Sequence, residues 1–156
     1  MYISAKVDYA TRALLTLAAA DAERPGSSLK GEAVAESQKL PTKYVENILV
    51  DLRRAGFVSA QRGAVGGYRL ARDPSDIAIA DVIRALEGPL AEVRGERPEK
   101  MRYDGPAEHL QSVWIAVRAA LRSVLEKVTI ADVLAGTFPP EVSRFVEDPD
   151  SWKVRT

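Results

Sequence analysis

Cysteine is absent from the 156 residues, and the single histidine lies at position 109. Without cysteine there can be no disulfide, no thiolate zinc site and no cysteine-ligated iron–sulfur cluster. The chain also lacks a run of about 18 apolar residues, so no segment is expected to cross a membrane. The sequence therefore predicts no metal and no cofactor.

The N-terminal segment MYISAKVDYATR is charged and lacks the apolar region of a signal peptide, so we expect the protein to stay in the cytoplasm. The net charge is zero, with 22 basic and 22 acidic residues, which taken alone argues against a nucleic-acid partner. Between Ser27 and Arg72, however, eight basic residues face four acidic ones, a local balance of +4. Because local charge sets the field at a binding surface, the charge of this segment indicates the binding partner better than the net charge of the whole chain does.

The pattern of residues 40–54 predicts a helix with two different faces. Val45, Ile48, Leu49 and Leu52 recur at i, i+3, i+4 and i+7 and form one buried stripe. Pro41 suits the first turn, and Gly56 suits the position just beyond the end. The opposite face is polar and consists of Thr42, Lys43, Glu46, Asn47, Asp51 and Arg54.

A hairpin is predicted directly after this helix, with strands at 57–62 and 68–72. The loop 63–67 contains Gly63, Gly66 and Gly67, which are available for positive φ. A polar-faced helix fits the major groove of DNA, and a hairpin flanked by Arg62 can reach the neighbouring minor groove. The alternative is a solvated helix face followed by an ordinary turn.

The segments before the helix complete a helix-turn-helix pattern. Ser4 can cap a first helix, and a second fits residues 31–37, three residues before the polar-faced helix. A fourth helix is predicted at about 81–87, ended by Gly88 and Pro89. The predicted fold is mainly α with a small β-hairpin wing, a winged helix-turn-helix over residues 1–88. The apolar stripe of the first helix consists of Ala10, Ala13, Leu14, Leu17 and Ala18.

Residues 89–105 have no clear period and are rich in charge. The simplest interpretation is a solvated loop, and the alternative is an effector-binding or partner-binding region.

From Pro106, apolar residues recur at helical spacing over about 22 residues, or ~33 Å. So long an apolar helix is expected to pack against its twin in a dimer, although the core of a monomer is the alternative. A short helix from Thr129 to Gly136 and a loosely ordered tail over 137–156, in which Phe145 and Trp152 could dock, complete the prediction.

In their order and spacing, several stretches of residues 1–135 together resemble the Rrf2 family of bacterial transcription regulators. The matching stretches are Ser4-x-Lys6-x-x-Tyr9-Ala10-x-Arg12-Ala13-Leu14, Tyr44-Val45-Glu46-Asn47-Ile48-Leu49, Leu52, Ala55-Gly56, Arg62-Gly63-x-x-Gly66-Gly67-Tyr68-x-Leu70-Ala71, Asp81-Val82-Ile83, Glu87-Gly88 and Val128-Thr129-Ile130-Ala131-Asp132-Val133.

This resemblance implies a homodimer that binds a pseudo-palindromic operator, most often as a repressor. Tyr44 and Asn47 match the family's DNA-contact positions, and Arg62 matches its wing arginine. Asn47 is chemically suited to adenine. The complete set of predicted DNA-binding residues is Thr42, Lys43, Tyr44, Asn47, Arg54, Arg62, Gly66 and Gly67.

The chain departs from the cluster-binding members, which carry three cysteines in the region matching residues 90–106. Asp8 matches a cluster ligand of some nitric-oxide-sensing relatives, but its simpler role is a charge in the first helical turn. His109 has no evident ligand partner. Control is therefore expected from a small molecule, in a pocket guessed near Asp8, Arg12, Tyr103 and Trp114, or from a partner protein such as a metabolic enzyme.

The residues argue against two other function classes, a protein-binding winged helix and an enzyme. A winged helix that binds protein would carry an apolar recognition face, whereas this face is polar. An enzyme is not predicted, because no nucleophile–base pair is visible. The loop 63–67 also lacks the lysine and the following helix of a phosphate loop.

Overall fold

The structure, a computed structural model, describes residues 2–154. Seven α-helices and one two-stranded sheet are present among them. The helices are α1 (Ala5–Glu23), α2 (Gly31–Gln38), α3 (Thr42–Arg54), α4 (Ile79–Glu87), α5 (Leu110–Leu125), α6 (Ile130–Ala135) and α7 (Pro140–Glu147). The strands are β1 (Val58–Gln61) and β2 (Gly67–Leu70). The predicted fold class, helical with a hairpin wing, is confirmed.

Helix α1 is the centre of the fold and contacts α2, α3, α4, α6 and β2. Ser4 caps it as predicted, since its Oγ accepts a hydrogen bond from the Val7 amide. The whole predicted stripe is buried. Because three of its five residues are alanines, neighbouring helices can approach closely. The surrounding core adds Val34, Ala35, Phe57, Val58, Ile77, Val82 and Ile130.

Helices α2 and α3 form the predicted helix-turn-helix. The turn between them contains Lys39 in the left-handed conformation, with φ of 53°. Pro41 occupies the N-cap of α3, one position before the helical residues, and Gly56 follows its end with φ of 77°. Val45, Ile48, Leu49 and Leu52 are all buried, so the opposite polar face is turned outward.

The wing strands are shorter than predicted. They pair antiparallel, with Val58 opposite Leu70 and Gln61 opposite Gly67. Leu29 adds a one-residue bridge on the free side of β2, exchanging two backbone hydrogen bonds with Tyr68 at 2.9 and 2.7 Å. This extra bridge anchors the wing to the segment before α2.

The prediction of positive φ at three wing glycines was correct only for Gly63, whose φ is 107°. Gly66 and Gly67 are required for another reason, the close approach of backbone. A Cβ on Gly66 would lie 2.3 Å from the Gln61 carbonyl oxygen, and one on Gly67 would lie 2.5 Å from the Leu29 backbone. The side chains are therefore excluded by space rather than by backbone angle.

Helix α4 begins at Ile79, two residues before the predicted start, and ends at Gly88 as predicted. The prediction of about 22 residues for the next helix was wrong, since α5 has 16. Pro106 lies in a separate 3-10 turn, Gly105–Ala107. At the other end, the Val128 carbonyl accepts from the Ile79 amide and the Ile130 amide donates to Ile77, both at 2.9 Å. These bonds draw the chain away from the helix axis.

The region 89–105 is a loop whose residues are mostly exposed, as the simplest interpretation predicts, and it is anchored at several points. Arg94 and Gly95 both have positive φ and form a tight turn closed by hydrogen bonds between Val93 and Glu96. Pro98 and Met101 are buried. The Gln111 side-chain amide of α5 donates to the carbonyl oxygens of Pro98, Glu99 and Met101 at 3.3, 3.1 and 2.8 Å. The loop is thus held against α5.

The tail predicted over 137–156, whose last two residues lie outside the described range, contains a helix that the sequence analysis did not predict. Thr129 and Asp132 form a capping box at the start of α6, and Gly136 ends that helix with φ of 68°. Helix α7 follows and buries Val142, while Phe145 and Trp152, the expected docking residues, remain exposed. The Trp152 indole donates to the Val146 carbonyl at 2.7 Å. In the part of the chain that the structure describes, no helix is long and apolar enough to cross a membrane.

Candidate nucleic-acid interface

The outward face of α3 presents the residues predicted to contact DNA. Thr42, Lys43, Asn47 and Arg54 are exposed, and Tyr44 is 39% exposed. Two of the charges have nearby partners, because Lys43 lies 4.0 Å from Glu46 and Arg54 lies 3.6 Å from Asp51. The Asn47 side chain has no hydrogen-bond partner among residues 2–154, so both its amide oxygen and its amide nitrogen can meet a base edge.

Residues of α1 hold the beginning of α3 and the turn before it. The Tyr9 and Tyr44 rings meet edge to face with centroids 5.6 Å apart. The Arg12 guanidinium lies 5.6 Å from the Tyr9 ring, and its Nε donates to Gln38 Oε1 at 3.1 Å. Its Nη2 also donates to the Gln38 backbone carbonyl at the end of α2. Tyr44 is therefore both a surface residue and a packing residue.

A second link joins α1 to the last turn of α3. Lys6 Nζ lies 2.8 Å from Asp51 Oδ2. The hydrogen bond from Lys6 holds the pKa of Asp51 below its ordinary value of 3.8, and the charges of Lys6 and Arg54 act in the same direction. Asp51 is therefore ionised at neutral pH and neutralises part of the positive charge at this end of the helix.

The C-terminal end of α3 is held by Arg72, the last residue of the basic segment 27–72. Its guanidinium stacks 4.5 Å from the Phe57 ring and donates to the carbonyl oxygens of Ala55 and Gly56 at 3.2 and 3.1 Å. This satisfies acceptors that the helix end leaves open. Arg72 therefore has a structural role. The other exposed arginines of the segment 27–72 that make no ion pair in the described chain are Arg53, Arg62 and Arg69.

The wing places Arg62 at its exposed tip, between β1 and the turn. Gly66 is buried and Gly67 is half-buried, so neither offers much surface to DNA. Their predicted contribution to the interface is the shape that they allow the wing tip to adopt. Sequence analysis missed Val65, which is 88% exposed beside Arg62. Its carbonyl accepts a hydrogen bond from Ser28 Oγ at 3.0 Å, which fixes the tip.

The four residues guessed to form an effector pocket occur as two pairs. Asp8 and Arg12 form an ion pair at 3.4 Å, and Trp114 Nε1 donates to the Tyr103 hydroxyl at 3.1 Å. No hydrogen bond or ion pair connects the two pairs within residues 2–154. None of the four lines the cleft that lies between the end of α4, the loop and α5.

Comparison with known proteins supports the DNA-binding interpretation. The sequence profile of the Rrf2 family, described as iron-dependent transcriptional regulators, matches residues 3–136. The chain is 43% identical over 148 residues to the HTH-type transcriptional regulator Rv1287 of Mycobacterium tuberculosis, covering 95% of this chain and 90% of that protein. It is 36% identical over 137 residues to the regulator CymR of Bacillus subtilis, covering 88% and 92%.

Two solved structures have the same fold. The structure of CymR, the global cysteine regulator of B. subtilis, superposes with a TM-score of 0.72 at 31% identity and covers 88% of this chain and 98% of that one. T. potens IscR superposes with a TM-score of 0.69 at 30% identity and covers 100% and 94%.

The iron in the family's description requires donors that this chain does not supply. The region 90–106 contains neither cysteine nor histidine. Asp8 is paired with Arg12, and the His109 side chain is 91% exposed beside Glu108. No group of three or more histidine or carboxylate residues in the described chain could hold a metal ion. The residues therefore do not fit an iron or iron–sulfur site.

The profile match, the two regulator sequences and the two structures agree with the helix-turn-helix and wing described above. The relatives are named as transcriptional regulators, the function class that the sequence predicted. The chain belongs to the Rrf2 family of DNA-binding transcriptional regulators.

Proposed function

We propose that the protein is a homodimeric repressor that binds a pseudo-palindromic operator without an iron–sulfur cluster and responds to a small molecule or a partner protein. The observation that carries the proposal is the pairing of an exposed polar α3 face with Arg62 at the wing tip. A helix and a hairpin so placed can occupy adjacent major and minor grooves.

Within this proposal the α3 residues have different tasks. Asn47 reads a base, while Thr42, Lys43, Tyr44 and Arg54 contact phosphates and fix the register. Arg62 enters the minor groove, and Gly66 and Gly67 allow the tight wing tip. A winged helix that recognised protein would expose apolar side chains here, and the α3 face is polar.

The surface of α5 supports the homodimer. Although its sequence is mostly apolar, none of its residues is buried. Val113 and Val117 are 51% and 44% exposed, and they continue a stripe with Leu110, Leu121 and Val124. A second copy of α5 would bury this stripe and place two helix-turn-helix units on the two half-sites of a palindrome.

DNA binding is tested by titrating the purified metal-free protein with a fragment of its own promoter across a salt series. We expect tight binding that depends on the DNA sequence. The logarithm of the binding constant should fall linearly with the logarithm of the salt concentration, because phosphate contacts release counterions. Binding equal to that of a scrambled fragment would contradict the proposal.

The homodimer is tested by sedimentation equilibrium of Val117→Glu. A charge at this position should convert the dimer into monomers, because it would have to be buried without a partner. Ala119→Glu is the matched control, since Ala119 is exposed on α5 but lies off the stripe. A monomeric unsubstituted protein, or a dimeric Val117→Glu variant, would exclude this interface.

A further inference from the structure

An arginine-lined cleft lies on the side of the molecule formed by the end of α4, the anchored loop and α5. Its volume is about 490 Å³, and four arginines line it with a single carboxylate. Three apolar residues of the loop complete the wall. The lining consists of Arg84, Gly88, Pro89, Leu90, Ala91, Arg97, Glu99, Arg118 and Arg122.

The charges of the cleft are only partly neutralised. Glu126 accepts hydrogen bonds from both Arg84 and Arg122, and Arg118 is paired with Glu99. Arg84, followed by Arg122, holds the pKa of Glu126 below its ordinary range, so this carboxylate is charged at neutral pH. With Asp81 beside Arg84 included, four guanidinium groups face three carboxylates. The excess charge remains positive.

Several guanidinium donors have no protein acceptor. Arg97 makes no ion pair or side-chain hydrogen bond in residues 2–154. Arg122 uses only its Nε, and Arg118 only its Nη1. Each guanidinium offers five N–H donors in a fixed plane, a geometry that matches the oxygens of a carboxylate or phosphate group. The free donors come from the loop and from α5, so one ligand can bind both.

The scaffold of the cleft is held in place before any ligand arrives. Gln111 fastens the backbone of residues 98, 99 and 101 to α5, and the tight turn at Arg94 and Gly95 fixes the loop on the other side. Pro89, Leu90 and Ala91 provide an apolar surface for a short carbon skeleton. A preorganised site of this kind binds without a large ordering cost.

We infer that this cleft binds a small organic anion carrying two or more carboxylate or phosphate groups, and that this anion is the effector of the regulator. The regulatory part rests on the proposed function, whereas the binding site does not. Bound by Arg97, Arg118 and Arg122, the anion would join the loop to α5 beside Glu126, which Arg122 shares with Arg84 of α4. Since α4 packs on α1 and α3, and α5 carries the proposed dimer surface, the ligand would act on the spacing of the two DNA-binding units.

Binding is measured by isothermal titration of the full-length protein with citrate and with pyrophosphate at constant ionic strength, without DNA. We expect saturable binding of at least one of them, and none of acetate, which carries one charge. Citrate alone would identify a carboxylate ligand, and pyrophosphate alone a phosphate ligand. Absence of saturable binding by both probes would overturn the inference.

Arg97→Gln is the informative variant, because the Arg97 side chain makes no hydrogen bond or ion pair within residues 2–154, and its longer-range attraction to the exposed Glu99 adds little to stability. It should weaken binding of the active probe by about tenfold, since a charge-assisted contact is removed. Arg144→Gln on α7 is the charge-matched control and should bind as the unsubstituted protein does. Equal affinity in Arg97→Gln would show that the anion binds elsewhere and would overturn the assignment.

The same probe is then added to the promoter titration. A shift of promoter affinity that disappears in Arg97→Gln supports the effector role. Anion binding without any shift would leave a ligand site but reject the effector role. Anion binding by a protein that does not recognise its promoter would separate failure of the proposed function from failure of the site. Loss of promoter affinity in Arg97→Gln without anion binding would reassign the cleft to DNA phosphates and overturn the inference.

Discussion

Arg12 of α1 binds the last residue of α2 through two hydrogen bonds, from Nε to Gln38 Oε1 and from Nη2 to the Gln38 carbonyl oxygen. This carbonyl oxygen accepts no other hydrogen bond within residues 2–154, and the next residue, Lys39, is left-handed. Arg12 thus holds the turn that sets the direction of α3.

Replacing Arg12 with alanine should weaken promoter binding by about tenfold, because the turn before the recognition helix loses its anchor. The measurement is a promoter titration well below the melting temperature, so that unfolding does not contribute. Asp8→Asn is the control, since it removes only the exposed 3.4 Å ion pair and should change little. Unaltered affinity of Arg12→Ala would exclude this positioning role.

Replacing Asn47 with alanine should cost roughly 1–3 kcal/mol at one base pair of the operator, because an adenine-type contact is lost. The measurement compares the variant with the unsubstituted protein on operators changed one position at a time. Lys43→Ala is the control and should weaken all operators alike, as expected for a phosphate contact. A uniform loss in Asn47→Ala would make Asn47 a positioning residue as well.

Replacing Arg62 with alanine should weaken operator binding and reduce the preference for A·T-rich flanks, whose narrow minor groove attracts arginine. Affinity is measured on operators that differ only in the flanks. Arg69→Ala, an exposed arginine on β2 away from the tip, is the control and should retain the flank preference. Equal flank preference in Arg62→Ala would remove the wing tip from recognition.

Replacing Gly67 with alanine should destabilise the protein by about 3 kcal/mol, because the new Cβ would collide with the Leu29 backbone. Gly63→Ala is the matched control in the same wing and should cost about 1–2 kcal/mol, since its φ is positive but its surroundings are open. Hydrogen exchange of the Leu29 and Tyr68 amides should accelerate only in Gly67→Ala. Retained protection of both amides would contradict this packing explanation.

The Lys6–Asp51 pair should contribute to stability in a pH-dependent way. Because the pKa of Asp51 is lowered in the folded state from its ordinary 3.8, the contribution is fully present above that value. It is lost as the pH falls through the folded-state pKa. Asp51→Asn should therefore be less stable than the unsubstituted protein near pH 6.

This difference should shrink as the pH falls through the folded-state pKa of Asp51, because below it the carboxyl group is protonated in both states. It is measured by urea unfolding across the pH range. Asp76→Asn, at an exposed carboxylate without an ion pair in the described chain, is the control. A difference between Asp51→Asn and the unsubstituted protein that stays constant with pH would show that the lost contact is not electrostatic.

The spacing of apolar residues and the residues that cap or end helices were sufficient to predict the helices of the DNA-binding half of the fold. The spacing of Val45, Ile48, Leu49 and Leu52 set the buried face of α3, and Ser4, Gly56 and Gly88 marked helix ends. These are local features that depend on residues three or four positions apart. The length of α5 was overestimated, because the chain beyond its C-terminal end forms backbone hydrogen bonds with Ile77 and Ile79, which are far away in the sequence.

The sequence by itself determined the absence of cysteine ligands, the polar face of α3 and the arginine at the wing tip. Each follows from composition or from short-range spacing. The tertiary structure alone decided that Gly67 approaches Leu29, that Arg12 holds Gln38 and that Arg72 closes α3. It also gathered Arg84, Arg97, Arg118 and Arg122 around one cleft. Residues distant in sequence meet only when helices pack, so no local pattern could indicate these contacts.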